Sequence, residues 1–314
     1  MHRLLGQGHH VTAVAWPSAC LDALQSAATK ARDAHDAAFL ADALRGGARA
    51  YFCPMPLLHY LDQGQGRPLV ILHGLFGTLD NWQTLARRWA TEASLRVVSV
   101  DLRNHGRSFH SPEHTYALMA ADVLALFDHL QLGPDTTLLG HSMGGKVAMR
   151  LALDHPDRLA RLVVVDIAPR FSDMEHQDDV LAGLQAVDLA TLANRQEADA
   201  ALARHVGNVG TRQFLLKNLY RREDNSFAWR INLDVLVAQL PAVGEAITAP
   251  APFLKPALFI RGGNSDYVSA EDKLHGIPAL FPNSQVATVV DAGHWVHAEK
   301  PEEVFGLVRA FVGA

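Results

Sequence analysis

Short apolar runs alternate with helical segments along most of this chain, and this alternation constrains the fold more than any other feature. The runs contain few polar residues, as strands do when both faces of a sheet are covered. They span residues 57–62, 68–72, 95–100, 136–139, 162–168, 257–261 and 285–290. The pattern predicts an α/β fold with a mostly parallel, doubly wound sheet. We therefore expect a functional site at the carboxyl ends of the strands.

The alternation is interrupted between residues 170 and 249. Helical stripes at 179–187, 195–206, 211–222 and 232–240 follow one another there without clear strands between them. We predict that residues 170–249 form a helical cap, inserted into a core of residues 51–169 and 250–314. The preceding residues, 1–50, are rich in alanine and contain a candidate helix at 19–44. They are predicted to be an N-terminal extension, and the sequence assigns them no role.

Composition excludes several classes of protein. Hydrophobic residues make up 49% of the 314 residues and the net charge is −5, which favours a sizeable core and argues against a nucleic-acid partner. Two cysteines in so long a chain do not form a disulfide framework. No apolar run reaches the roughly 18 residues of a membrane helix, and the N-terminus lacks the apolar core of a signal peptide. We expect a soluble, cytoplasmic protein, and the oligomeric state is left open.

The pentapeptide Gly140-His141-Ser142-Met143-Gly144 stands between a predicted strand and a predicted helix. A Gly-x-Ser-x-Gly sequence in that position is typical of the nucleophile elbow of α/β-hydrolases. Such a turn is so tight that the residues flanking the serine must be small. The pattern therefore predicts that Ser142 is a catalytic nucleophile held above the edge of the sheet.

A serine nucleophile needs a base, which is usually a histidine oriented by a carboxylate. In this fold the acid and then the histidine follow the serine along the chain, with the histidine just past the last strand. His294 lies there, directly after Ala292-Gly293, and is the predicted base. His297 is its rival, three residues further on.

Two aspartates compete for the role of the acid. Asp166 ends the strand that follows the nucleophile helix, from which a carboxylate reaches the same histidine. Many proteins of this fold instead carry the acid after the seventh strand, in a Gly-x-x-Asp-x-x-Val pattern. Aligned on Gly262 and Val268, that slot holds Ser265, and Asp266 comes one place late. We favour Asp166, keep Asp266 as the alternative, and expect Ser265 to hydrogen-bond within the acid–histidine pair as an accessory.

The oxyanion of the tetrahedral intermediate needs two backbone N–H donors. One is expected from Met143, directly after the nucleophile. The other is expected from Leu75, in the loop His73-Gly74-Leu75-Phe76-Gly77 that follows an early strand. His73 itself is expected to order this loop rather than to take part in the chemistry.

From about residue 56 to its end, the chain resembles the YbfF-like esterases of the α/β-hydrolase superfamily. The residues that carry the resemblance are HGLFG (73–77), DN (80–81), DLRNHG (101–106), GHSMGGK (140–146), DIAP (166–169), GGNS (262–265) and GHWVHAEKP (293–301). The resemblance implies a triad of Ser142, Asp166 and His294, with Ser265 at the site. It also implies a helical cap over the site, and ester or acyl-CoA thioester substrates.

These observations favour a serine hydrolase that cleaves carboxylic esters or acyl thioesters through an acyl-enzyme. No metal or organic cofactor is expected, because His9 and His10 have no partners at the spacing of a zinc site. The same triad also serves hydrolases of carbon–carbon bonds and cofactor-free haloperoxidases. A third alternative is a non-catalytic ligand-binding protein that keeps the pocket of a hydrolase.

Overall fold

The computed structural model describes residues 56–313 of the chain. Seven strands in this part form one sheet, and two short strands form a separate hairpin. The strands are β1 (Tyr60–Gln63), β2 (Arg67–Leu72), β3 (Leu95–Val100), β4 (Thr137–His141), β5 (Arg161–Val165), β6 (Leu219–Arg221), β7 (Phe227–Trp229), β8 (Ala257–Gly262) and β9 (Ser284–Val289). The predicted extension at residues 1–50 and its helix at 19–44 lie outside the described residues.

The large sheet has the strand order β1-β3-β2-β4-β5-β8-β9. Only β1 runs antiparallel to its neighbour, and the other pairings are parallel. Strands β4 and β5 occupy the centre, and all five residues of β4 are buried. The predicted α/β class, with a mostly parallel and doubly wound sheet, is confirmed.

Helices cover both faces of this sheet. The α-helices are α1 (Gln83–Glu92), α2 (Tyr116–His129), α3 (Met143–Asp154), α4 (Asp178–Gln185), α5 (Arg195–Leu202), α6 (Val209–Leu216), α7 (Leu233–Ala238), α8 (Leu240–Gly244), α9 (Ile277–Leu280), α10 (Val296–Glu299) and α11 (Pro301–Val312). Successive residues of a strand point to opposite faces. Leu69 and Ile71 of β2 therefore join the core formed by α1 and α11, whereas Val70 and Leu72 join the core formed by α2 and α3.

The segment between β5 and β8 contains helices α4 to α8, as its helical stripes predict, but it also contains a β-hairpin. The prediction of a single helix over 211–222 is wrong, because α6 ends at Leu216 and β6 pairs with β7. The turn of this hairpin contains Asn225, whose φ of 67° lies in the left-handed region that asparagine tolerates. Residues 223–226 therefore reverse the chain between β6 and β7, just past the end of the stripe that was predicted to be helical.

No helix among residues 56–313 combines the length and the apolar character that crossing a bilayer requires.

Candidate active site

The turn between β4 and α3 consists of Ser142 alone. Its φ of 51° and ψ of −120° are unusual for a residue with a side chain, and strain of this kind is concentrated at functional sites. A Cβ atom at Gly140 would lie 2.1 Å from the carbonyl oxygen of Gly144, so only glycine fits there. The strand extends to His141 and the helix begins at Met143, which makes the turn tighter than the sequence pattern indicated.

Three predicted side chains meet at the carboxyl edge of the sheet. The Ser142 Oγ lies 3.0 Å from Nε2 of His294, which is in the loop after β9. The Nδ1 of His294 lies 2.8 Å from Oδ2 of Asp166, which follows β5. The side chain of Asp166 is fully buried and that of His294 is 22% exposed. Strands β4 and β5 are neighbours, and β9 lies beyond β8, so parallel pairing places all three loops at one edge.

The carboxylate of Asp166 is held by two further donors. The N–H of Gly262, at the end of β8, donates to Oδ1 at 2.8 Å, and the Ser265 hydroxyl donates to Oδ2. The alternative acid, Asp266, is exposed, and its side chain forms no hydrogen bond with His294 among the described residues. Its backbone carbonyl accepts a hydrogen bond from Arg170. The structure thus brings Asp166 to the imidazole and Ser265 to the carboxylate of Asp166, and leaves Asp266 outside.

The rival histidine, His297, is not within hydrogen-bond distance of Ser142 in the described structure. It belongs to α10, where its ring stacks on Trp82 with 4.1 Å between the centroids. Burial lowers the pKa of His297 to about 3, and electrostatic repulsion from His294 and Lys217 lowers it further. This side chain forms part of the packing behind the site.

The two N–H groups predicted for the oxyanion belong to residues that line the same cavity as Ser142. Met143 is the first residue of α3, so its N–H has no acceptor within the helix. The N–H of Leu75 donates no hydrogen bond to another described residue, whereas the neighbouring Phe76 N–H donates to His105. Both residues line the cavity that contains Ser142. A free donor at the start of a helix and a second one from a nearby loop are suited to hold a negative oxygen.

The cavity above Ser142 has an empty volume of about 820 Å³, including the part open to solvent. One wall of the cavity, which includes Ser142 and His294, belongs to the core, and the segment 170–249 forms the opposite wall. Apolar side chains dominate the lining, and they are Leu75, Phe76, Trp82, Met143, Ile167, Met174, Val180, Phe214, Leu215, Val243 and Trp295. This volume and lining are suited to an apolar group attached to the reacting carbonyl.

Tyr267 and Lys146 also line this cavity, and sequence reasoning gave neither a role. The Tyr267 ring stacks on His294 with 3.9 Å between centroids and an angle of 19° between the planes. Burial raises its pKa to about 12. The Lys146 ammonium is buried and donates to the carbonyls of Gly244 and Glu245, and burial lowers its pKa to about 8. The sequence signal for Tyr267 was an aromatic residue two places after Ser265.

A group of buried histidines supports the loop that carries Leu75. The Leu102 N–H donates to Nε2 of His73 at 3.0 Å, and the Phe76 N–H donates to Nε2 of His105 at 3.2 Å. The rings of His105 and His114 lie 5.6 Å apart. His73 thus orders the loop through hydrogen bonds, the role expected from the sequence.

We expect acid to destabilise the protein because of these histidines. Burial lowers the pKa of His73 to about 4 and those of His105 and His114 to about 3. The unfolded chain protonates them near pH 6.5 and the folded chain does not, so stability is lost as the pH falls below 6.5. At pH 5 the loss is about 2 kcal/mol per histidine. Burial raises the pKa of Asp101 and Asp122, so protonation of these carboxyl groups favours the folded state as the pH falls and does not cause the loss.

Urea unfolding at pH 7 and pH 5 measures this effect. The variant His114→Gln is the control, since it removes one of the titrating groups and should reduce the difference between the two pH values. Equal free energies of unfolding at both pH values in the wild type would contradict the prediction.

Among residues 56–313, no group of three or more His, Cys, Asp or Glu side chains is arranged to hold a metal ion. The polar groups at the site instead form a chain of hydrogen bonds from Ser142 through His294 to Asp166.

A strained serine between a central parallel strand and a helix, opposite a histidine after the last strand, defines a class of protein. The chain belongs to the α/β-hydrolase family, whose model, described as alpha/beta hydrolase fold, matches residues 67–301.

Two related proteins and one solved structure show which members of this family the chain resembles. The chain is 40% identical over 274 residues to the sn-1-specific diacylglycerol lipase ABHD11 of Mus musculus, with 85% of this chain and 88% of that protein covered. It is 39% identical over 251 residues to Esterase YbfF of Escherichia coli K12, with 80% and 95% covered. A solved structure, "Marine microorganism esterase", matches with a TM-score of 0.79 and 36% identity, covering 82% of this chain and all of that one. The predicted relationship to YbfF-like esterases is confirmed, and these names support ester hydrolysis.

Proposed function

We propose that this chain is a serine esterase in which Ser142, His294 and Asp166 form the catalytic triad. The observation that carries the proposal is the continuous set of hydrogen bonds that joins these three side chains, of which Ser142 and His294 line one cavity. The set is the arrangement that activates a serine hydroxyl, because the imidazole accepts the serine proton and the carboxylate orients the imidazole. The strained elbow and the two free N–H groups support the same reaction.

The first half of the reaction forms an acyl-enzyme. The Ser142 Oγ attacks the acyl carbon as Nε2 of His294 takes its proton, and the electrons of the carbonyl π bond move onto the carbonyl oxygen. The N–H groups of Leu75 and Met143 stabilise this oxyanion, and each such donor contributes about 2.7–4 kcal/mol. The carbonyl then re-forms, the bond to the leaving group breaks, and His294 gives its proton to the departing oxygen or sulfur.

The second half of the reaction releases the acid. His294 takes a proton from a water molecule, and the resulting hydroxide attacks the acyl carbon. The tetrahedral intermediate collapses with loss of Ser142 Oγ, which regains a proton from His294. Asp166 stays ionised throughout, because it stabilises the imidazolium rather than accepting its proton.

We further propose that residues 170–249 are a cap that closes the acyl side of the cavity. Met174, Gln177, Val180 and Phe214 come from this segment and line the cavity with Ser142. Their largely apolar character favours acyl groups with an apolar chain. The substrate class is thus carboxylic esters, with acyl thioesters as a second leaving-group class for the same triad. The mouse relative is named a diacylglycerol lipase, which makes acylglycerols a further candidate class.

A substrate panel tests this proposal. Hydrolysis of p-nitrophenyl esters from acetate to palmitate is compared with that of a diacylglycerol, acyl-CoA thioesters and a vinylogous diketone. We expect kcat/KM on the simple esters to rise with chain length until the apolar cavity is filled, by about 10-fold for each 1.4 kcal/mol of apolar burial. Cleavage of the diketone alone would contradict an esterase and favour a carbon–carbon bond hydrolase. Absence of turnover and of fluorophosphonate labelling would favour a non-catalytic binding protein.

A further inference from the structure

The residue before the nucleophile, His141, contacts three parts of the site at once. It ends β4 next to Ser142, and its side chain is buried. Its Nε2 lies 2.9 Å from the backbone carbonyl oxygen of His294, which is 153 residues away in the sequence. A Cβ atom on Gly74 would lie 2.8 Å from its Nδ1, so the ring packs directly on the loop that carries Leu75.

The chemistry of this contact fixes how His141 is protonated. A carbonyl oxygen only accepts hydrogen bonds, so Nε2 of His141 carries the proton and donates it. The titratable groups that face the ring are other histidines, namely His73, His294 and His297. Burial lowers the pKa of His141 well below its ordinary value, and these neighbours lower it further. The ring is therefore a neutral donor with a single tautomer.

The loop that carries His294 is attached at several points on either side of the His294 backbone. The Asn264 N–H donates to the Ala292 carbonyl at 2.9 Å, and the Gly293 N–H donates to the Glu299 carboxylate at 2.8 Å. The imidazole itself is held by Asp166 and stacks on Tyr267. The carbonyl of His294 is joined to the rest of the core by the His141 ring. Because the 3.0 Å gap between Ser142 and His294 is the path of the proton, a small shift of this loop changes the rate of proton transfer.

We propose that His141 is a positioning residue that holds the backbone of His294 at the distance from Ser142 that proton transfer requires. It does so through its Nε2–H bond to the His294 carbonyl and its contact with the loop at Gly74. This inference rests on the proposed function, because it assigns a role to His141 only if Ser142 and His294 perform the chemistry.

The isosteric pair His141→Gln and His141→Met tests the proposal. Glutamine places an amide N–H near the position of Nε2, whereas methionine fills the same space without a donor. We expect His141→Met to lower kcat on a p-nitrophenyl ester by about 10–100-fold, the effect of a displacement of about 1 Å at a reacting pair. KM should stay within about twofold, because the acyl cavity is unchanged. His141→Gln should retain kcat within about threefold of the wild type.

The thermal midpoints of both variants are measured alongside the kinetics. An equal loss of kcat in His141→Gln and His141→Met would show that the packing of the ring, and not its N–H donor, is what matters, and it would overturn the proposal. Full activity of His141→Met would overturn it as well. If His141→Met does not fold, His141→Asn takes its place in the test. The asparagine side chain is one bond shorter than that of glutamine, so its amide does not reach the His294 carbonyl. Retained turnover in Ser142→Ala would instead reject the proposed function itself.

Discussion

Replacing Ser142 with alanine is expected to reduce kcat by about 10⁶-fold, because among residues 56–313 no other hydroxyl or thiol forms a hydrogen bond with Nε2 of His294. The substitution removes only the Oγ atom that lies 3.0 Å from His294. Alanine keeps a Cβ, so the backbone of the elbow experiences no new contact. The thermal midpoint should therefore stay close to that of the wild type, and the loss should appear in kcat rather than in KM.

Two measurements check this expectation. Steady-state hydrolysis of a p-nitrophenyl ester gives kcat, and labelling with a fluorophosphonate, which reacts with an activated serine, shows which residue is the nucleophile. Ser284→Ala, at the opposite end of β9 from the His294 loop, is the matched control and should label and turn over like the wild type. An alanine variant at 142 that kept wild-type turnover would show that a different residue is the nucleophile.

The elbow could be predicted from the sequence because the residues that form it are adjacent in the chain. Gly140 is required by a contact with Gly144 inside the elbow, and the strand and helix on either side are predicted from adjacent segments. Gly144 is required by a longer-range contact, because a Cβ there would lie 2.4 Å from the carbonyl oxygen of His73. The strands of the sheet could also be predicted, because a continuous apolar run such as residues 95–100 indicates a strand that is buried on both faces. Local pattern and fold therefore agree in this part of the chain.

The hairpin within 170–249 was missed for a physical reason. Residues 211–222 have helical periodicity, but α6 ends at Leu216 because Leu219 and Phe227 pack together with the apolar residues of the surrounding helices. A strand of three residues is too short to show a clear alternation of apolar and polar side chains. Tertiary packing decides between helix and strand in such a segment.

The position of the acid could not be decided from sequence alone, because it depends on which strands are neighbours. Asp166 and Asp266 are 100 residues apart, and each follows a strand. The structure pairs β5 with β8, so the N–H that ends β8 points at Asp166. The loop after β8 then places Ser265, not Asp266, against the carboxylate. A difference of one residue in a loop determines which side chain reaches the carboxylate of Asp166.

This arrangement leads to the second large expected effect: we expect Asp166→Asn to lower kcat by about 10⁴-fold. Three donors converge on the carboxylate of Asp166, namely Gly262 N–H, the Ser265 hydroxyl and Nδ1–H of His294. Asparagine offers one acceptor oxygen, and its NH₂ group would face a donor. His294 would then turn or adopt the other tautomer, with Nδ1 accepting, and its Nε2 would carry a proton toward Ser142 and fail as a base.

The matched substitution, Asp266→Asn, makes the same chemical change one residue past Ser265. Its side chain is exposed and has no hydrogen bond to His294 in the described structure, so kcat should stay within about twofold of the wild type. Both variants are compared by kcat on one ester and by urea unfolding, because the buried amide of Asp166→Asn also leaves a donor unpaired and lowers stability. If Asp166→Asn remains folded at the assay temperature, its loss of kcat is due to the changed site and not to unfolding. Equal and small losses of kcat in both variants would mean that neither aspartate orients the base, and a larger loss in Asp266→Asn would transfer that role to Asp266.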